Sequence, residues 1–282
     1  MSAELNTNVA EQVLNGIHLP PCPAVLMDVM KEARSANADM GRIVRLISQD
    51  IGLSAPMLKL ANSPYFARST RVSSIQQAVA VLGLRNTVNL LSNVVLRANV
   101  IPNLAGMDAF WDRSSMTALA ASHIAGKIPG MSRDDAYTVG LFHDCGIPVL
   151  MQKYPDYLKK VDEMSRVTGN VCEIENACYS TTHAAVGNLL ARNWLLPAQM
   201  CRAILYHHDL SIFSSNTDPA TIEICNWVSI IHAAEYIVDS HLGLLNEGWK
   251  IWQPHALKHL QFDAQEFDEL CSDVSSALSG DD

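Results

Sequence analysis

Apolar residues recur along this chain three and four positions apart and almost nowhere on alternate positions, which is the pattern of amphipathic helices rather than of half-buried strands. Val25 to Ala33 carries apolar residues at 25, 26, 29, 30 and 33, just after the breakers Pro20, Pro21 and Pro23. Asp39 is placed to cap a helix whose inner face is Ile43, Val44, Leu46 and Ile47. A helix over Leu53 to Ala61 follows, with Pro56 expected in its first turn and Asn62-Ser63-Pro64 ending it. Ser73 or Ser74 caps Ile75 to Leu82, and Gly83 separates that helix from Arg85 to Leu96. Beyond a Pro- and Gly-containing break at Ile101 to Met107, an Ala-rich helix is expected over Ala109 to Lys127. Asp134 is the expected cap of the next helix, which leads into His143-Asp144. Pro155 to Val167 reads as an exposed, charged helix stopped by Gly169. Ser180 or Thr181 is expected to cap His183 to Trp194. Pro197 opens a helix running to His207-His208, and Ile222 to Val238 is the last long apolar helix before a more polar terminal stretch. The expected fold is all-α, in two packed helical lobes: 1–105, and 106–282 with a C-terminal extension.

Composition narrows the class. A chain of 282 residues with 49% hydrophobic and 17% charged content has enough apolar surface for a sizeable core. No uninterrupted apolar run reaches the ~18 residues of a membrane span, and Met1 to Gly16 shows no basic region followed by an apolar one. The seven cysteines are odd in number and form no CxxC, which points to reduced thiols and a cytoplasmic location. Apart from Cys145, they read as small core or surface residues rather than as ligands. The net charge of −9 opposes non-specific binding to nucleic acid. Arg68, Arg71, Arg85 and Arg97 give the N-terminal part some basic character, whereas the C-terminus is acidic. Ile75 to Leu91 has the outline of a helix-turn-helix, with Arg85, Asn86 and Asn89 as base-reading side chains. A helix end at Gly83 explains the same residues equally well, and the acidic chain disfavours DNA as a partner.

The chemistry concentrates at His143-Asp144-Cys145-Gly146, which follows the apolar stretch Ala136 to Phe142. Adjacent imidazole and carboxylate groups on an apolar segment are costly to bury unless paired or coordinated, and both ligate divalent cations. Further candidates are His183, His207, His208 and Glu235. Each has an ordinary explanation alone. His207-His208 suits a helix C-terminus, and His183 follows its helix cap. His18, His123, His241, His255 and His259 read as structural or surface residues.

Several stretches in fixed order resemble the bacterial HDOD domain. In the first half they are Leu19-Pro20-Pro21-Cys22-Pro23, Ile47-Ser48-Gln49-Asp50, Leu60-Ala61-Asn62-Ser63-Pro64-Tyr65-Phe66, and the run from Ser73 to Leu84. In the second half they are Gly140-Leu141-Phe142-His143-Asp144-Cys145-Gly146, Thr182-His183-Ala184-Ala185-Val186-Gly187, and Trp194-Leu195-Leu196-Pro197 leading to Tyr206-His207-His208. The resemblance covers roughly residues 17 to 240. It implies kinship with the HD superfamily of metal-dependent phosphohydrolases and with HD-GYP phosphodiesterases, in a family regarded as signalling output modules that often lack the full ligand set. It makes His143-Asp144 the central doublet, His183 and His207-His208 the downstream histidines, and Glu235 the counterpart of the last aspartate. Ser114 stands where the first histidine belongs, Ile147 where a lysine often follows the doublet, and Thr182 where an acid is common.

These departures point to a degenerate metal site, because serine is a poor neutral ligand and a lost cation is a lost phosphate partner. The expected function is a signalling module that acts by contact with a protein partner or by self-association, or by binding a small phosphorylated ligand. The alternative is a phosphohydrolase acting on a nucleotide or cyclic nucleotide. A cofactor, where present, would be divalent iron, manganese, zinc or magnesium.

Overall fold

The computed structural model describes residues 19, 21–35, 37–62, 72–100, 107–161, 171–214 and 218–279. The expected break at 101–106, the Ser63-Pro64-Tyr65-Phe66 stretch, Pro20, Arg68, Arg71, the N-terminal residues through His18 and residues 162–170, with the end of the expected 155–167 helix and Gly169, lie outside them. Every regular element among the described residues is helical, so the fold is all-α. The described residues divide into two units, one within Pro21–Pro102 and one within Asn103–Asp282.

In the first unit, α1 (Ala24–Ala33) starts directly after Pro23 and buries Leu26, Val29 and Met30. The Asp39 carboxylate accepts the Arg42 N–H at 3.1 Å and opens α2 (Met40–Ser48), which buries Ile43 and Ile47. Helix α3 (Ile51–Ala61) begins two residues earlier than the apolar pattern indicates. The reason is Asp50, whose carboxylate accepts the Leu53 N–H at 3.1 Å and restarts the helix at once. Pro56 therefore lies inside α3 and not in its first turn, which removes one interior N–H from the helix.

Helix α4 (Ile75–Asn99) is capped by Ser74 and interrupted at Gly83, whose φ of 77° is one that residues with a Cβ rarely adopt. By length and composition α4 could cross a membrane. However, Gly83 breaks it, and Ile75, Val79, Leu82, Leu91 and Val95 are buried, with α1, α2 and α3 packed on the helix. Of the side chains that a DNA-reading helix would present, Asn89 is buried and Asn86 donates to the Leu82 carbonyl at 2.9 Å.

The second unit is built on a close pair, α5 (Met107–Ala125) and α6 (Arg133–Phe142). Small residues allow this approach: a Cβ added at Gly140 would stand 3.0 Å from the Ala118 Cα and 3.1 Å from the Ala121 methyl. The cap of α6 is Ser132, whose hydroxyl accepts the Asp135 N–H, and not Asp134. Asp134 and Asp135 instead occupy the first turn, where the helix dipole favours them.

Helices α7 (Gly146–Lys153), α8 (Val171–Tyr179), α9 (His183–Asn193) and α10 (Ala198–Tyr206) follow. The cap of α9 is Thr182, which accepts the Ala185 N–H at 3.1 Å, whereas Ser180 takes a left-handed turn (φ 55°) just ahead of it. After a 3-10 helix at Leu210–Ser214 comes α11 (Pro219–His241), capped by Asp218. The polar terminal stretch folds as α12 (Trp249–Leu260) and α13 (Ala264–Ser279). The Trp249 ring stacks on Tyr236 of α11 and Phe267 of α13, at centroid distances of 5.0 and 5.2 Å.

One contact sets the geometry of the centre described next. The start of α7 abuts the first turn of α9 so closely that a Cβ at Gly146 would lie 2.0 Å from the His183 carbonyl oxygen and 2.7 Å from the Gly187 nitrogen. Only glycine permits this approach, and it brings Asp144 and His183 side by side.

Candidate metal centre

The end of α6, the turn before α7, the start of α9, the end of α10 and the middle of α11 meet at one buried cluster. It brings together His143, Asp144, His183, His207, His208 and Glu235. Ser114 is not among these groups. Its buried hydroxyl donates to the Phe110 carbonyl one turn back at 2.9 Å.

Three histidines are held in one tautomer by their other ring nitrogen. The Nδ1–H of His143 donates to the Gly140 carbonyl at 2.7 Å, and that of His207 to the Ile204 carbonyl at 2.6 Å. The Nδ1–H of His183 donates to the Glu175 carboxylate at 2.8 Å. In each ring Nε2 is then the nitrogen turned to the centre, the arrangement that orients histidine toward a metal.

Glu175 is fully buried and also accepts the His183 backbone N–H at 2.9 Å and the Tyr157 hydroxyl. Thr182 is thus a helix cap, and the carboxylate expected beside His183 comes from α8. Cys172 lies within reach of Glu175 and His183, but burial pushes its thiol well above the ordinary range, so it stays protonated.

The Nε2 atoms converge on Asp144. Its Oδ1 is 3.3 Å from His183 Nε2 and 3.6 Å from His207 Nε2, and the two nitrogens are 3.2 Å apart. Ligand atoms bound tetrahedrally at about 2.0–2.1 Å from a zinc ion are ~3.3–3.4 Å apart, so this triangle has the dimensions of a cation site. Two bare imidazole nitrogens 3.2 Å apart need something positive between them. In the metal-free chain a proton supplies it. Burial works against a charge on His183, but Glu175 and Asp144 outweigh it and raise its pKa. Burial and the neighbouring His183 lower that of His207. His208, whose ring lies 5.0 Å from that of His183, is held well below the ordinary histidine range by burial and by the adjoining imidazoles. It is neutral, as a ligand must be.

The other side of Asp144 is different. His143 Nε2 is buried, 3.1 Å from Asp144 Oδ2 and 3.5 Å from Glu235 Oε1. Burial opposes a charge on His143, but the two carboxylates outweigh it and push its pKa up to about 10. They are themselves held well below the usual carboxylate range, against the effect of burial: Asp144 chiefly by His143, and Glu235 by His143, His232 and Arg113.

The guanidinium of Arg113 reaches in from α5. It binds Asp239 through Nε at 2.7 Å and Nη2 at 2.9 Å, Glu235 at 3.2 Å, and approaches Asp144 at 3.9 Å. Asn246 completes the Asp239 carboxylate at 2.9 Å. His232 faces Glu235 at 3.3 Å, donates to the His207 carbonyl, and stacks on Trp252.

Sequence reasoning did not single out Arg113, Asp239, Glu175 or His232. Part of this was readable, because His232, Glu235 and Asp239 are polar positions three and four apart on the otherwise apolar α11. Arg113 adjoins Ser114, the position examined for a missing ligand. Glu175 has no such signal. The residues fit one divalent cation on the His183–His207 side, while the His143–Glu235 side already contains a side-chain cation.

A family model for the HDOD domain matches residues 19–210. An uncharacterized protein of Treponema pallidum (strain Nichols) is 29% identical over 212 residues, 74% of this chain and 40% of that protein. Cyclic di-GMP phosphodiesterase CdgJ of Vibrio cholerae is 26% identical over 153 residues, 51% of this chain and 34% of that protein. The chain thus spans two fifths or less of the length of these curated relatives. Among solved structures, an HDOD domain protein of unknown function from Geobacter sulfurreducens is similar with a TM-score of 0.73 at 22% identity, covering 99% of this chain and 98% of that one. With the family model spanning well over half of its residues, this chain belongs to the HDOD domain family.

Proposed function

We propose that this chain is a bacterial, cytoplasmic signalling module that acts by binding and does not turn over a phosphate ester. The observation that carries this reading is Arg113. Its guanidinium lies on Asp239 and Glu235, beside Asp144, in the half of the centre where an HD enzyme would present ligands. A guanidinium engaged by carboxylates is not free to meet the equatorial oxygens of a phosphoryl group in transfer. Ser114 is bonded into its own helix, and Ile147 brings no charge.

Asp144, His183 and His207, with His208 beside them, would hold one divalent cation, and such an ion would supply Lewis-acid charge there. The chain's own groups do the rest. Glu175 and the Ile204 carbonyl fix the imidazole tautomers, and Arg113 balances the acids of α11. Output would then pass through contact with a protein partner or a second copy of the chain. The test is hydrolysis of a generic phosphodiester by the purified chain with added manganese, iron or zinc, together with affinity capture from cells. The expected result is no hydrolysis above the metal-only control, and recovery of a specific partner or of the chain itself.

A second reading is a divalent-metal phosphohydrolase acting on a nucleotide or cyclic nucleotide. The metal-sized triangle at Asp144 favours it, as does the similarity to CdgJ. Metal-dependent hydrolysis abolished by Asp144→Ala would decide for this second reading.

A further inference from the structure

A cleft outside the metal centre has the makings of a ligand site. It is a cavity of about 600 Å³ in the C-terminal unit, between the 3-10 helix, the start of α11 and the end of α12. That is the size of cavities that hold small molecules. Its aromatic wall is Phe213, whose ring stacks on His255 (centroids 5.5 Å, 30°) and meets His259 edge-on at 5.6 Å. Trp252 backs it at 6.3 Å. Lys258 stands on the same rim and has no ion-pair partner among the described residues. On a chain of net charge −9, this aromatic rim carries the positive charge of Lys258.

The cleft continues into a second cavity of about 280 Å³, which shares Pro129, Ile222 and Asn226 with the first. One amide there is left without a full set of partners. The Asn226 amide N–H meets only the Met131 sulfur, at 3.6 Å, and its carbonyl oxygen has no partner among the described residues. Trp227 lines this end with its ring, and its indole N–H is buried within the protein and not open to the cleft. The half-buried Asn226 amide is the group at the shared wall that a ligand acceptor would satisfy. Glu223 and Asp135 also line this end and would repel an anion, so a bound anionic group belongs at the Lys258 end.

We infer that this cleft binds a small anion carrying a planar heteroaromatic ring, the chemistry of a nucleoside phosphate. The ring lies against Phe213, its edge acceptors face Asn226, and the phosphate sits at Lys258. The site is separate from the metal centre and does not depend on the function proposed for it.

The test is titration of the full ¹⁵N-labelled chain with AMP and GMP, following the indole resonance of Trp227, which is assigned by its loss in Trp227→Phe. We expect that resonance to shift saturably, with adenosine and ribose 5-phosphate each binding more weakly than AMP. Stacking and charge each contribute enough that Phe213→Ala and the exposed Lys258→Glu should each weaken binding about tenfold. Asp144→Asn should leave it unchanged. No shift at millimolar nucleotide would overturn the inference. So would affinity unaffected by Lys258→Glu, or binding lost in Asp144→Asn, which would place the nucleotide in the metal centre.

Discussion

Asp144 turns one carboxylate oxygen to each of two unlike halves of the same centre. Oδ1 faces His183 and His207, two imidazoles whose Nε2 atoms lie 3.2 Å apart. Oδ2 faces His143 and Arg113, and Arg113 cannot leave or lose its charge. Both halves solve the same problem, that of buried carboxylates which need positive charge. One half solves it with a covalently attached cation, the other with a pair of imidazoles that can hold a proton or a metal ion. On the proposed reading, replacing an exchangeable ion by a side chain keeps the fold and its charge balance but gives up the open coordination position that hydrolysis requires.

The largest effect should come from emptying the closed half. Arg113→Ala leaves the Asp239 carboxylate with only the Asn246 amide and removes one of the positive partners of Glu235. Removing one partner of a largely buried ion-pair network costs about 3 kcal/mol or more, which urea unfolding of the chelator-treated protein would measure. A loss near zero would mean that the guanidinium is incidental.

The same half fixes the pH response. The folded-state pKa of His143 lies near 10, above its ordinary 6.5. The stability it contributes is therefore complete below pH 6.5 and is lost as pH rises through about 10. Alkaline denaturation of metal-free protein should show this loss, and His143→Gln should remove that pH dependence.

An intermediate effect is expected on the open half. Glu175→Gln weakens the acceptor that fixes the His183 tautomer, and loss of such a partner typically lowers metal affinity about 10–100-fold. Calorimetric titration with zinc or manganese would read this. Arg113→Ala should leave that affinity within a few-fold, and equal losses in the two variants would merge the halves into one site. The smallest effect concerns only the scaffold. Thr182→Ala removes the cap of α9 and should cost about 1 kcal/mol, read as a lower urea midpoint with metal stoichiometry unchanged.

The parts legible in the sequence were those governed by nearby residues. The stripes at Leu26, Val29 and Met30 and at Ile43 and Ile47, the caps Asp39 and Ser74, and the break at Gly83 each follow from chemistry within one or two turns. The choice among neighbouring cap residues was not legible. Ser180, Thr181 and Thr182 offer three hydroxyls, and Ser132 and Asp134 two cap side chains, and tertiary placement selects among them.

In the centre, the histidines were visible because their order along the chain carries them. Arg113 was not, since its partner Asp239 lies 126 residues away and nothing local marks the pairing. Glu175, an ordinary acid on a short helix, becomes informative only once His183 and Tyr157 are seen to converge on it.

The measurement that tests the two-halves account most directly is the number of divalent ions bound per chain. Metal-free protein would be titrated with zinc or manganese, and its metal content read by elemental analysis after desalting. The account predicts one ion per chain, lost when His183 and His207 are both replaced by alanine. Two ions per wild-type chain, or one that survives that double replacement, would contradict it.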